Sequence, residues 1–204
     1  MEKTSLNRES YNKIITLWAS VRNTAQVNSP IIDLTQKIKP KGKILDIGCG
    51  TGRPLAEYFA DKNLSVTGID LSQNMITAAQ SNGIRNSRFF VCDFFDFSSE
   101  EKFDAVIAWD SLFHFPKERQ KDIYLKVSSL LSLGGYFLFT HGKEEDEHTD
   151  QMLGESFYYS CLSKIDVLKL MENSGFVIKY SIENFSEHND TRDWVVLAKK
   201  EFGF

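Results

Sequence analysis

Ile44-Leu45-Asp46-Ile47-Gly48-Cys49-Gly50-Thr51-Gly52 sends a short apolar run into a turn with glycine at every second position. Residues 54–61 then read as a helix, with Leu55, Tyr58 and Phe59 inward and Pro54 in its first turn. The glycines admit positive φ and let backbone approach a ligand closely. The helix beyond offers free N–H groups at its start. A strand, a tight glycine turn and a helix in this order form a cradle for a nucleoside at the carboxyl edge of a parallel sheet.

A dinucleotide site uses G-x-G-x-x-G, whose third glycine lets the helix pack closely on the strand. Here the spacing is G-x-G-x-G, and Arg53 stands where the fingerprint has Gly or Ala. Asp46, at the approach to the turn, would repel a pyrophosphate but attract an ammonium. A ligand with an amino-acid moiety therefore suits the turn better. Asp70 ends the next strand, Val66-Thr67-Gly68-Ile69-Asp70, where a carboxylate can accept both ribose hydroxyls. Asp93 ends a third, Phe90-Val91-Cys92-Asp93-Phe94. It is placed to accept from an adenine amino group, with Phe94 covering the ring.

Outward from the turn, strand and helix alternate. Strands are predicted at 43–47, 65–69, 88–92, 103–109 and 136–140, with helices over 54–61, 72–83 and 117–131. This alternation implies right-handed crossovers and a parallel sheet. Upstream, apolar residues at helical spacing over 10–21 and a second short helix over 30–37 form a cap. Downstream, Ser163 and Asp166 open a helix that closes at Gly175. Residues 176–182 and 194–198 then read as two strands joined by a polar loop, and so as an antiparallel pair. Residues 142–162 have weak periodicity and are read as a lid carrying Phe157, Tyr158 and Tyr159.

The 204 residues are 42% hydrophobic and 25% charged, which suits one domain with a full core; the 16 Phe add to that core or to an apolar pocket. The net charge of −4 supplies no basic stripe for nucleic acid. Lys143-Glu144-Glu145-Asp146-Glu147 reads as a solvated acidic loop. Cys49, Cys92 and Cys161 make no CxxC pair and no zinc-like set with His, so no metal is expected. The start of the chain is polar, and no stretch approaches the roughly 20 apolar residues of a membrane span. A cytoplasmic protein without membrane contact is the expectation.

Together, Leu45-Asp46-Ile47-Gly48-Cys49-Gly50-Thr51-Gly52, Gly68-Ile69-Asp70-Leu71-Ser72 with Met75, Cys92-Asp93, Phe103-Asp104-Ala105-Val106 and Leu133-Gly134-Gly135-Tyr136 closely resemble the class I S-adenosylmethionine-dependent methyltransferases. The likeness is clear over residues 41–140. It extends through Ser174-Gly175-Phe176 and Val195-Val196-Leu197-Ala198. It implies a Rossmann-like α/β sandwich with seven strands in the order 3-2-1-4-5-7-6, strand 7 antiparallel. The single domain would divide into a cap (1–40), a cofactor-binding core (41–141), a lid (142–162) and a C-terminal helix with hairpin (163–204).

The implied cofactor is S-adenosylmethionine, with S-adenosylhomocysteine as product. Gly48, Gly50 and Gly52, with Cys49, would line its methionine part, and Asp46 its amino group. Asp70 and Leu71 would hold the ribose, with Met75 nearby; Asp93 and Phe94 would frame the adenine. Trp109, Asp110 and Ser111 follow strand four, where the family faces cofactor and acceptor. Tyr11 and Trp18 are similar to aromatic residues that close over the cofactor. His114 and His141, near the ends of strands four and five, are the candidate bases. The family's adenine-N6 enzymes carry Asn/Asp-Pro-Pro-aromatic after strand four, and its cytosine-C5 enzymes a Pro-Cys nucleophile. Trp109-Asp110-Ser111-Leu112 matches neither. A small-molecule acceptor is expected, not nucleic acid. A non-catalytic cofactor-binding protein and an NAD-dependent oxidoreductase are the alternatives. The sequence does not specify an oligomeric state.

Overall fold

Helix α1 (Lys3–Arg22) and helix α2 (Ser29–Lys37) precede strand β1 (Lys43–Ile47) in the computed structural model, which describes residues 3–203. Met1, Glu2 and Phe204, the ends of the expected cap and C-terminal unit, lie outside the described residues. Strand and helix then alternate through α3 (Leu55–Asp61), β2 (Ser65–Asp70), α4 (Gln73–Ser81), β3 (Ser87–Val91), β4 (Phe103–Ala108), α5 (Lys117–Leu130) and β5 (Leu131–His141). A hairpin follows, β6 (Asp146–Met152) with β7 (Glu155–Cys161). Helix α6 (Lys164–Asn173) leads into β8 (Phe176–Glu187) and β9 (Asp190–Lys200).

The main sheet runs β3-β2-β1-β4-β5-β9-β8. The first five strands are parallel, β9 is antiparallel to β5, and β8 is antiparallel to β9. With the β6–β7 hairpin set aside, this is the predicted seven-stranded order.

Neighbouring residues of the central strands feed opposite faces of the sheet. Leu45, Val106, Phe137, Phe139 and Trp194 pack against Ile123, Tyr124 and Val127 of α5 and Val167 and Met171 of α6. Ile44, Ile107, Leu138 and Leu197 pack against Ile31 and Leu34 of α2, Phe59 of α3 and Ile76 of α4. Each fully buried Leu, Ile or Phe contributes roughly 2 kcal/mol. None of the described helices is long and apolar enough to cross a membrane.

Three segments depart from the sequence reading. Residues 142–162 hold a regular antiparallel hairpin, turned through Leu153 and Gly154 at positive φ. Its first strand is polar and exposed, so alternation is missing where the pairing is regular. The acidic run is not wholly a loop, because Asp146 and Glu147 open β6. The expected polar loop between the last two strands is itself paired, from Glu183 opposite Trp194 to Glu187 opposite Asp190. It turns through His188 and Asn189, both at positive φ as a two-residue hairpin turn requires. Helix α1 begins well before residue 10, because Asn7 and Ser10 are buried through hydrogen bonds to β7, which apolar spacing does not register.

Candidate active site

The turn after β1 is pinned to the end of β2: the N–H groups of Gly48 and Cys49 both donate to the Ile69 carbonyl, at 2.8 and 3.1 Å. Ser111 of the β4 loop donates its hydroxyl to the Ile47 carbonyl at 2.7 Å. A Cβ on Gly48 would stand 2.6 Å from the Cβ of Ser111, so glycine is needed for this close approach. At Gly50, φ is +53°, and the nearest atom to an added Cβ would be Nε1 of Trp18 at 3.6 Å. Gly50 therefore faces open space beneath helix α1.

That space is a cavity of about 800 Å³ at the carboxyl ends of β1, β2 and β4. Asp46, Gly48, Cys49 and Gly50 line it from the turn, and Asp70, Leu71 and Met75 from β2 and α4. Asp93 and Phe94 close one end. Trp109, Asp110 and Ser111 form the floor after β4, and Tyr11, Trp18 and Arg22 of α1 form the roof. Gly52, between Thr51 and Arg53 on the lining, faces the protein interior instead. An added Cβ there would lie 2.9 Å from Ile84 Cδ1 and from Phe89 Cζ, so its missing side chain serves packing.

Two carboxylates face this cavity from within the protein. Asp70 accepts from the N–H of Gly50 at 3.0 Å on one oxygen and from the N–H of Ser72 at 2.8 Å on the other. Burial pushes its pKa up, and the backbone N–H groups of Ser72, Gly50 and Leu71 restrain that rise. Each oxygen keeps a lone pair for a further donor. Asp46 is 2% exposed, and burial followed by the nearby Asp70 charge pushes it up to about 7. A ligand ammonium beside Asp46 would relieve both effects, and a diol is a natural partner for Asp70. The residues present thus fit a nucleoside that carries an amino-acid group.

The roof is tied down at both ends. Asn12 accepts from the Ser72 hydroxyl and the Asn74 N–H, and its carbonyl accepts from the Asn74 side chain. Asn7 accepts the N–H of Tyr158 at 2.8 Å and donates to the Tyr158 carbonyl at 2.9 Å, so it pairs with β7 as a strand residue would. His114 lies between, with the Tyr11 hydroxyl at 2.8 Å from Nε2 and the Tyr158 carbonyl at 3.0 Å from Nδ1. The Asn7 amide nitrogen is also 3.1 Å from Nδ1, but its two protons go to the Tyr158 and His114 carbonyls; the proton therefore sits on Nδ1, facing the Tyr158 carbonyl, and Tyr11 donates to Nε2. Burial lowers the His114 pKa to about 4. Protein groups engage both ring nitrogens.

A second cavity of about 630 Å³ shares Tyr11, Trp18, Arg22, Asp110 and His114 with the first. Tyr159 of β7, His141 of β5, and Phe185 and Arg192 of the last hairpin line its far side. Arg192 holds both oxygens of Asp110, at 2.8 and 2.7 Å. Sequence reasoning missed Asn7, Asn12, Arg22 and Arg192. Each is a polar residue on a helix or hairpin strand, and its role comes from chain segments far away in sequence. Among the described residues, no group of three or more His, Cys, Asp or Glu is placed to hold a metal.

The model of a methyltransferase domain matches residues 44–135. The chain is 32% identical over 172 residues to the carboxy-S-adenosyl-L-methionine synthase of Campylobacter fetus, covering 82% of this chain and 68% of that protein. It is 28% identical over 173 residues to the sterol 24-C-methyltransferase of Neurospora crassa, covering 77% of this chain and 45% of that one, so it spans less than half of that relative's length. In fold it is similar to magnesium protoporphyrin IX methyltransferase from Synechocystis PCC 6803 with its S-adenosylmethionine bound. That TM-score is 0.77 at 19% identity, over 98% of both chains.

Proposed function

Because the chain belongs to the class I S-adenosylmethionine-dependent methyltransferase family, we propose that it transfers a methyl group from S-adenosylmethionine to a small-molecule acceptor. The observation that carries this reading is the pair of carboxylates, buried Asp46 and half-buried Asp70, flanking a glycine turn that opens into the larger cavity. When bound, the cofactor supplies an electrophilic methyl on a sulfonium.

The chain's own residues bind, orient and exclude water. Asp70 accepts the ribose hydroxyls, held in register by the Gly50 and Ser72 N–H groups. Asp46 lies beside the amino group. Asp93, whose Oδ1 is fixed by the Phe95 N–H at 2.8 Å, would accept from the adenine amino group, and Phe94 would flank the ring. Trp18 and Tyr11 cover the cleft from α1. His114 orients Tyr11 at the boundary between the cavities; in-line transfer from a sulfonium needs mainly a well-placed acceptor. A net charge of −4 favours a small molecule over nucleic acid.

Calorimetric titration with S-adenosylmethionine, S-adenosylhomocysteine and NAD tests the cofactor. The first two are expected to bind and NAD to fail; tight binding of NAD alone would overturn the reading. Methyl uptake from labelled S-adenosylmethionine across a metabolite library tests the acceptor class.

A further inference from the structure

His141 ends β5 and is 3% exposed. Its Nδ1 lies 2.8 Å from the carbonyl of Gly142. Since a carbonyl only accepts, Nδ1 carries the proton and Nε2 is left with a bare lone pair. That Nε2 is buried without a hydrogen-bond partner. An orphaned buried acceptor costs roughly 1–3 kcal/mol, so a fold that keeps one calls for an explanation. The rings of Phe139 and Trp194 stand edge-on to the imidazole, and the indole N–H of Trp194, the one donor between them, is itself left without a partner and so does not satisfy Nε2. Burial lowers the His141 pKa, which keeps the ring neutral.

His141 lines the second cavity and not the first. Phe113, Tyr159 and Phe185 contribute aromatic rings to the same lining. The carboxylates on this lining are largely committed. Asp110 and Asp190 are held by Arg22 and Arg192, and Asp146 by His148. Asp193 also lines the cavity and makes no ion pair among the described residues, but it is exposed to solvent; the buried Nε2 suits a neutral O–H or N–H, which needs no counter-charge.

We propose that the second cavity is the acceptor site and that Nε2 of His141 accepts a hydrogen bond from a neutral hydroxyl or amino group on an aromatic acceptor. This deepens the methyltransferase reading and rests on it for the word acceptor. The binding claim itself concerns His141 alone. A site built to receive a donor discriminates strongly against an analogue that lacks one.

Phenol, anisole and benzylamine are titrated into the full chain with ¹⁵N-labelled histidine, with and without saturating S-adenosylhomocysteine. Phenol is expected to bind saturably, about tenfold or more tighter than anisole, and to move the Nε2 resonance of His141 upfield. His141→Ala should abolish the preference for phenol, while His141→Gln, whose side-chain oxygen still accepts, should keep part of it. Both variants should retain the parent affinity for S-adenosylhomocysteine, which also reports that they fold. Equal binding of anisole, an unmoved His141 resonance, no saturable phenol binding, or a preference for benzylamine would each overturn the proposal. Failure to bind S-adenosylhomocysteine would instead sink the methyltransferase reading, and the arms without it would still decide the role of His141.

Discussion

The hydroxyl of Tyr11 donates to Nε2 of His114 across 2.8 Å, joining helix α1 to the turn that follows β4. On its other side the same ring donates to the Tyr158 carbonyl of β7. One neutral histidine therefore fastens the roof, the floor and the hairpin together, and its protonation would turn Tyr11 from donor to acceptor and bury a charge.

His114 should make folding pH-dependent. Its pKa is lowered from 6.5 to about 4 in the folded chain by burial. Between these values the unfolded chain binds a proton that the native chain refuses. Stability from this group is therefore fully present above pH 6.5 and is lost as pH falls toward 4, by about 3 kcal/mol. Urea unfolding across that range should show a shallower pH slope in His114→Gln than in the parent.

Asp46 should release a proton when the cofactor binds. Its pKa is raised to about 7 by burial and by Asp70, so near neutral pH about half of the molecules carry it protonated. A bound ammonium favours the ionised form. Cofactor affinity should weaken as pH drops below 7. Calorimetry at pH 7 in buffers of different ionisation enthalpy should report a fraction of a proton released, and Asp46→Asn should abolish that release.

Asp70→Ala should weaken cofactor binding by about 100-fold, since two charge-assisted hydrogen bonds at roughly 1.5 kcal/mol each are lost. The seven-stranded sheet should survive, as judged by circular dichroism. The Gly50 and Ser72 N–H groups lose their acceptor in the same variant, so amide exchange at both should accelerate.

Gly50 and Gly52 should separate binding from folding. Gly50→Ala places its Cβ 3.6 Å from Trp18 Nε1 without a clash and should weaken cofactor binding, at roughly 1 kcal/mol of backbone strain from its φ of +53°. Gly52→Ala drives a Cβ to 2.9 Å from Phe89 and Ile84 at a φ of +75°. It should cost roughly 2 kcal/mol by overpacking and backbone strain. Thermal melts and ligand titration on both variants check the contrast.

The sheet and its cofactor edge were legible because their signals are local. The run from Ile44 to Gly52 carries strand, turn and helix start in one segment, and Asp70 and Asp93 stand at strand ends that hydrophobic runs mark. The rest of the site is assembled across long sequence separations. Asn7 meets Tyr158 and Arg192 meets Asp110, and no spacing rule connects residues so far apart. The β6–β7 hairpin and the outer half of the β8–β9 pair were obscured for a different reason. Their outer residues, such as Glu147, Thr149 and Glu183, are polar and exposed, so pairing without burial leaves no alternation to read. Gly52 shows the limit of motif reading itself. The same glycine spacing serves the cavity at Gly50 and close packing at Gly52.

The β6–β7 hairpin forms a sheet of its own, inserted between β5 and α6. Drift in its length or lining can therefore recast the chamber beside His141 while the strands that carry Asp46 and Asp70 stay as they are. The same hairpin holds the roof through Tyr158, so whatever reshapes that chamber must leave the β7 edge facing Asn7 in place.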